Sequence, residues 1–128
     1  MNVCRQIASL FSVVYVTVPS MEVGRKIARE AVEKKLAACV NIVPQVTSIY
    51  SWQGKIEEDN EYLLIIKTRT SVIEELKKSV TRNHPYDVPE FIALPIEQGS
   101  EPYMKWIAEN TLEKAEPSES SASSATIS

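Results

Sequence analysis

The one histidine of the chain lies close to several oxygen-bearing side chains, in a pattern that is typical of a metal site. His84 is followed at short spacing by Tyr86, Asp87 and Glu90. Neutral imidazole is a good ligand for copper, nickel and zinc, and neighbouring carboxylates can complete a coordination shell. A second interpretation stays open, in which His84 is a structural residue stabilised by the dipole at a helix end. A zinc site that needs two histidines from one chain is excluded.

Lys67 and Cys39 are the other residues whose chemistry stands out. Lys67 interrupts a run of apolar strand residues, so its ammonium group either reaches the sheet surface or lines a cleft between subunits. It is therefore grouped with Tyr86, Asp87 and Glu90 as a candidate for lining a ligand cleft. Cys39 lies in an apolar stretch, which predicts a buried small hydrophobic residue and not a nucleophile.

No set of residues in the sequence combines a nucleophile, a base and an orienting group. A Ser-His-Asp triad and a glycine-rich phosphate loop are both missing, and the chain holds only three scattered glycines. We therefore expect a protein that binds without turnover and is not an enzyme.

Composition indicates one soluble globular domain. The chain has 128 residues, of which 44% are hydrophobic and 24% charged, and its net charge is −3. A negative net charge argues against a nucleic-acid binder, which must neutralise many phosphates. Two cysteines without CxxC spacing indicate a reducing compartment, so we expect a cytoplasmic protein unless a targeting segment upstream of residue 1 directs it elsewhere.

The apolar stretch at 7–18 raises the question of membrane insertion. It is shorter than the roughly 20 residues that span a bilayer, and no small-residue cleavage pattern follows it. We therefore expect no direct membrane insertion. The β-branched and aromatic residues of Phe11–Val18 instead predict a central strand that is covered on both faces.

Helical spacing of apolar residues predicts a first helix at Ser20–Leu36, with Ser20 as its N-cap. A second helix is predicted to begin at Ser71, where Ser71 and Glu74 match a capping box, and to end before Pro85.

Two long strands are predicted between these helices. The first, Ala38–Trp52, contains Pro44, which implies a bulge or an edge position. A Gln53-Gly54 turn then leads into the return strand Lys55–Arg69.

The arms of this hairpin are too long for a small domain. About fourteen residues at roughly 3.3 Å each give arms of about 45 Å, so the far end would be a bare two-stranded ribbon with exposed aromatic surface. Packing against neighbouring subunits would cover it, which makes Tyr50, Trp52 and Ile56 candidates for a subunit interface. In the alternative, the ribbon folds back at Pro44.

The last predicted elements are a short edge strand at Phe91–Leu94, between two prolines, and a helix that begins near Gly99. The element order is then β-α-β-β-α-β with an extra C-terminal helix. This order predicts an α+β, ferredoxin-like split βαβ fold, with an antiparallel sheet and a long central hairpin. An RNA-recognition module shares the order, but the stretch Glu61–Lys67 lacks its stacking aromatics and basic, glycine-containing motif.

Several separated motifs resemble the CutA divalent-cation tolerance proteins. They are Ala37–Pro44, Ser48–Glu57, Ile66–Thr68, His84–Glu90, Leu94-Pro-Ile and the pair Tyr103 and Trp106, within a match from Val13 to Thr111. The resemblance implies a ferredoxin-like subunit in a homotrimer related to the PII signalling proteins. It also implies association with copper and other divalent metals, and, for animal members, with the membrane anchoring of acetylcholinesterase.

One departure from the family pattern concerns copper. Copper-site proposals for bacterial relatives use a first-strand cysteine and consecutive histidines before the Pro-Tyr pair. The matching positions here are Val16 and the pair Asn83-His84. Of these three residues, only His84 has a side chain of the kind that binds copper. The sequence therefore predicts weaker metal binding than the resemblance implies.

The sequence thus predicts an N-terminal extension at 1–9, a CutA-like domain at 10–112 and a disordered serine-rich tail at 113–128. The expected function is that of a non-enzymatic, trimeric protein of the divalent-metal tolerance type that binds copper or another divalent cation and requires no cofactor. The alternative is a PII-like signalling or assembly protein that binds a small ligand or a partner protein.

Overall fold

The computed structural model describes residues 9–113, which form four strands and three helices. The elements are β1 (Phe11–Val18), α1 (Met21–Glu33), β2 (Cys39–Trp52), β3 (Lys55–Arg69), a 3-10 turn (Thr70–Val72), α2 (Ile73–Asn83), β4 (Ile92–Pro95) and α3 (Glu101–Glu109). The predicted extension at 1–9 and tail at 113–128 lie outside the described residues, except for Ser9 and Glu113.

The four strands form one antiparallel sheet in the order β2-β3-β1-β4. The order of elements and the antiparallel pairing confirm the predicted α+β, ferredoxin-like fold. The edge position predicted for the strand near Phe91 is also confirmed, since β4 pairs only with β1 in this sheet.

One face of the sheet carries both long helices and the hydrophobic core. The core is built from alternate residues of the two central strands and from one side of each helix: Val14, Val16, Val18, Leu64, Ile66, Ile27, Ala31, Leu76 and Val80. The other face is more open, and Val13, Tyr15 and Thr17 on it are only half-buried. The prediction that β1 is covered on both faces is therefore wrong for this chain, because α1 and α2 lie on the same side.

The helix ends differ from the sequence predictions in two places. Ser20 caps α1 as predicted, and its hydroxyl accepts a hydrogen bond from the Val23 amide at 3.1 Å. However, α1 ends at Glu33 and not at Leu36, because Lys35 adopts a left-handed conformation with φ of 58° that turns the chain out of the helix.

The predicted capping box at Ser71 is wrong. A 3-10 turn winds directly out of β3 while the Thr70 amide is still held by the Leu10 carbonyl at 2.9 Å. Ser71 consequently lies inside this turn, and neither the turn nor α2 has a side-chain cap.

The long hairpin forms as predicted, including the bulge at Pro44. The pairing of β2 with β3 shifts register between Val43 and Val46, where Gln45 has a positive φ, and then continues without a break to Trp52 and Lys55. The alternative in which the ribbon folds back at Pro44 is therefore wrong. The segments 46–52 and 55–61, here called the ribbon, extend beyond the end of β1, which pairs with β3 only as far as Tyr62.

Within residues 9–113, no helix is long and apolar enough to cross a membrane.

Candidate functional site

A cleft of about 910 Å³ opens where the ribbon meets the loop that follows α2. It lies on the sheet face opposite the two long helices. Ten side chains line this acidic cleft: Thr17, Tyr50, Trp52, Glu57, Asp59, Glu61, Tyr86, Asp87, Val88 and Glu90. Five of these are carboxylates, and none is Lys, Arg or His, so the lining attracts cations.

The bulge at Pro44 determines which ribbon side chains face the cleft. Cross-strand partners point to the same face of a ladder. If the pairing before the bulge continued, Tyr50 would lie opposite Ile56, but after the bulge it pairs with Glu57. The extra residue therefore turns Tyr50 and Trp52 toward the face that carries the acidic side chains, as bulges commonly re-aim side chains.

Three acidic residues form one wall of the cleft. Glu57, Asp59 and Glu61 alternate along β3, so their side chains share a face of the strand. The Tyr50 hydroxyl donates a hydrogen bond to the Asp59 carboxylate. This hydrogen bond is the main reason that the pKa of Tyr50 is raised to about 12.

Glu61 is the most enclosed acid of the cleft. It is only 9% exposed, and its carboxylate makes no hydrogen bond or ion pair with any residue of the range 9–113. Its charge acts instead on Tyr86, whose pKa is raised by burial and then by the negative charges of Glu61 and Asp59. The cleft thus holds an acidic residue of low exposure, and no basic side chain of residues 9–113 lines the cleft beside it.

The opposite wall comes from the loop after α2. Tyr86, Asp87, Val88 and Glu90 line the cleft from this side, and Glu90 accepts a hydrogen bond of 3.5 Å from the Thr17 hydroxyl. The loop leaves α2 at His84, whose extended backbone ends the helix before Pro85 as the sequence predicts.

His84 lies behind this loop and does not line the cleft. It is 8% exposed, and both ring nitrogens contact the backbone: Nδ1 accepts from the Tyr86 amide at 3.1 Å, and Nε2 lies 2.8 Å from the Thr17 carbonyl oxygen. Since the amide must donate to Nδ1, the ring proton is on Nε2 and is donated to Thr17. Neither nitrogen then has a free lone pair, so a metal could bind only if one of these hydrogen bonds were broken.

Lys67 lies apart from the other cleft candidates. Its ammonium group donates a hydrogen bond to the Asn41 side chain on the open sheet face, and it does not line the cleft. Cys39 is half-buried, with its thiol 4.0 Å from the same Asn41 oxygen. The prediction that Cys39 is buried is therefore wrong, because it begins an edge strand that no other strand covers.

The structure brings together most of the residues that the sequence singled out, although in a different grouping. Tyr86, Asp87 and Glu90 share the cleft with Tyr50 and Trp52, which were predicted as interface residues. Ile56 belongs to the opposite face of the ribbon. Sequence reasoning missed the acidic wall of β3, although the alternation of Glu57, Asp59 and Glu61 is a visible signal for it.

The described residues of one chain do not form a complete metal-coordination shell. Among residues 9–113, no three His, Cys, Asp or Glu side chains are grouped closely enough to hold a metal ion. The arrangement concentrates negative charge beside three aromatic rings, which suits the attraction of cations.

The fold and the cleft together define a small α+β protein of the ferredoxin-like class with a cation-attracting surface. Residues 12–110 match the family model described as CutA1 divalent ion tolerance protein. The chain belongs to this family.

Relatives from plants and bacteria support this assignment. "Protein CutA, chloroplastic" from Arabidopsis thaliana is 58% identical over 77% of this chain. The solved CutA1 structure from Oryza sativa has a TM-score of 0.80 at 50% identity and covers 84% of this chain and 98% of its own. The solved divalent cation tolerance protein from Thermus thermophilus has a TM-score of 0.78 at 55% identity, covering 80% of this chain and 99% of its own.

The match to the Arabidopsis thaliana relative covers 54% of that protein, so this chain spans about half of its length.

Proposed function

We propose that this chain is a non-enzymatic, homotrimeric protein that binds divalent cations through the carboxylates of the acidic cleft. The observation that carries the proposal is the lining of the cleft, which contains five carboxylates and no basic side chain. Membership of a family described by divalent ion tolerance supports it. Carboxylate oxygens are ligands for divalent ions, and a site with one or two of them keeps several waters on the metal.

The proposal assigns direct coordination to Asp87 and Glu90 and a positioning role to His84. The sequence predicted His84 as the metal ligand, but the hydrogen bonds to both of its nitrogens favour a role in holding the loop. Because no three ligands are grouped within the described part of one chain, assembly of subunits is proposed to complete the site.

Calorimetric titration of Mn²⁺ and Cu²⁺ into the assembled protein tests this proposal. Replacing Asp87→Asn and Glu90→Gln together should weaken Mn²⁺ binding by about a hundredfold, because the loss of two charged ligands costs about 3 kcal/mol. Copper(II) should bind more tightly than zinc(II), as the Irving–Williams order requires. His84→Gln should leave copper affinity within about twofold, since Gln offers both a donor and an acceptor to replace the imidazole contacts.

The matched control is the double variant Glu97→Gln and Glu101→Gln, which removes the same charge from exposed positions outside the cleft. Equal affinity in the cleft and control variants would contradict the carboxylate assignment. A large loss of copper binding in His84→Gln, with the loop intact, would restore His84 as the ligand.

The cytoplasmic location expected from the sequence stays a prediction, and the Arabidopsis thaliana relative is named as chloroplastic.

The PII-like alternative is favoured by one observation, the three aromatic rings in the cleft, which a metal ion does not need.

A further inference from the structure

Glu61 presents a charge that the described residues do not neutralise. The residue is only 9% exposed and lines the acidic cleft, and its carboxylate lacks a hydrogen bond or an ion pair among residues 9–113. A carboxylate that is withdrawn from water without a partner is unfavourable, so a cation that enters the cleft relieves this cost.

The spacing of the acidic wall distinguishes between kinds of cation. Glu57, Asp59 and Glu61 occupy alternate positions of β3, which places them about 7 Å apart along the strand. Asp87 and Glu90 face them from the loop. This geometry spreads negative charge along a line, and within residues 9–113 no three acids are grouped closely enough to hold a metal ion by themselves.

The aromatic side chains add a second feature. The rings of Tyr50, Trp52 and Tyr86 line the same cleft as the acids. Aromatic faces attract ammonium groups through cation–π contacts, and they also pack against methylene chains. A bare metal ion makes no use of either property.

We propose that the acidic cleft binds a linear organic polycation of the polyamine class. In this mode the ammonium groups pair with the carboxylates of the β3 wall, with Glu61 at the enclosed end, and the methylene segments pack against the aromatic rings. The inference goes beyond divalent-metal binding, because it depends on the rings as well as on the charges.

Titration of spermidine into the full chain, with oligomeric state checked by light scattering, tests the inference. Glu61→Gln keeps the shape and removes the charge, and it should weaken spermidine binding by about tenfold. Tyr86→Leu should weaken it by about fivefold through loss of the ring face, whereas Tyr86→Phe should bind within about twofold of the wild type. Glu57→Gln, at a more accessible position of the same wall, provides a second variant if Glu61→Gln fails to fold.

Glu58→Gln is the matched control for charge, because Glu58 is an exposed neighbour in β3 that pairs with Ile49 on the opposite face of the ribbon. It should change spermidine affinity by less than about twofold. Equal losses in Glu58→Gln and Glu61→Gln would show only diffuse attraction and would overturn the inference. Absence of spermidine binding to the assembled wild type would also overturn the inference. This result is expected if a basic residue of a neighbouring subunit fills the cleft.

A parallel Mn²⁺ titration separates this inference from the proposed metal function. Tyr86→Leu should weaken spermidine binding by more than it changes Mn²⁺ affinity, because Asp87 and Glu90 are retained. If Mn²⁺ binds and Tyr86→Leu has no effect on spermidine, the polyamine inference fails and metal binding stands. If the variants change spermidine binding as expected and Mn²⁺ does not bind, the polyamine inference stands and the proposed metal binding fails.

Discussion

His84 fastens the loop that carries Tyr86, Asp87 and Glu90 to the first strand of the sheet. Its two ring nitrogens join the Tyr86 amide to the Thr17 carbonyl, so one side chain fixes the position of this loop relative to β1. Replacing His84→Ala removes both hydrogen bonds from a buried position. We expect a loss of about 2 kcal/mol in the free energy of unfolding and faster amide exchange at Tyr86.

Urea unfolding and hydrogen exchange measure these effects. Thr81→Ala, on the exposed side of the same helix end, is the control and should change stability by less than about 0.5 kcal/mol. His84→Gln should recover part of the loss, because its amide can donate to Thr17 and accept from Tyr86. A stability of His84→Ala equal to that of the wild type would contradict the positioning role.

At the scale of elements, the sequence predicts the order of the helices and strands, and the turns between them, better than it predicts the cleft. Periodicity, the Pro44 bulge and the Gln53-Gly54 turn are local signals, and each of them predicted its element correctly. The cleft depends on register, because a shift of one residue would move Tyr50 to the face opposite Glu57. The sequence predicts a bulge or an edge position at Pro44, but not how many residues a bulge would add. The placement of Tyr50 and Trp52 on the same face as Glu57 and Asp59 therefore could not be predicted.

The two long helices are joined by Glu30, which supplies a pH-dependent contribution to stability. Its carboxylate accepts a hydrogen bond from the Ser79 hydroxyl at 2.7 Å and pairs with Arg82 and Lys34. The Ser79 hydrogen bond is the largest cause of its pKa of about 2, with Arg82 also lowering it. Because the pKa of Glu30 is lower in the folded than in the unfolded chain, its contribution to the free energy of unfolding is fully present above about pH 4.3, the ordinary glutamate value. This contribution is lost as the pH falls toward 2.

Glu30→Gln should therefore lower the free energy of unfolding by about 1 kcal/mol at neutral pH, after allowance for solvent screening of a carboxylate that is 23% exposed. The difference from the wild type should shrink as pH falls through about 3. Urea unfolding at several pH values measures it. Glu74→Gln, which removes the exposed pair with Lys77, serves as the control and should show little change at any pH. A pH-independent difference for Glu30→Gln would contradict the assignment.

At the scale of the whole molecule, the exposed surface of the described residues favours assembly with further copies of the chain. The sheet face opposite α1 and α2 is only half-buried, and the ribbon continues beyond the body of the sheet as two strands, which are marginally stable alone in water. On the ribbon face turned away from the cleft, Ile49 is 66% exposed and Ile56 is 75% exposed. Exposed apolar side chains on such a ribbon are typical of an interface between subunits.

We expect light scattering to give three times the chain mass of 14.3 kDa, because assembly would cover the apolar ribbon face that is turned away from the cleft, and the resemblance to the CutA proteins implies a trimer. Ile49→Asp and Ile56→Asp together should shift the protein toward lower mass at micromolar concentration. These residues lie outside the core cluster of the subunit, so its circular dichroism should be retained. Asn60→Asp is the control, because it adds a charge to the ribbon without removing apolar surface and should leave the mass unchanged. A monomeric wild type would contradict the trimer. An unchanged mass in the double variant would show that Ile49 and Ile56 do not form the interface.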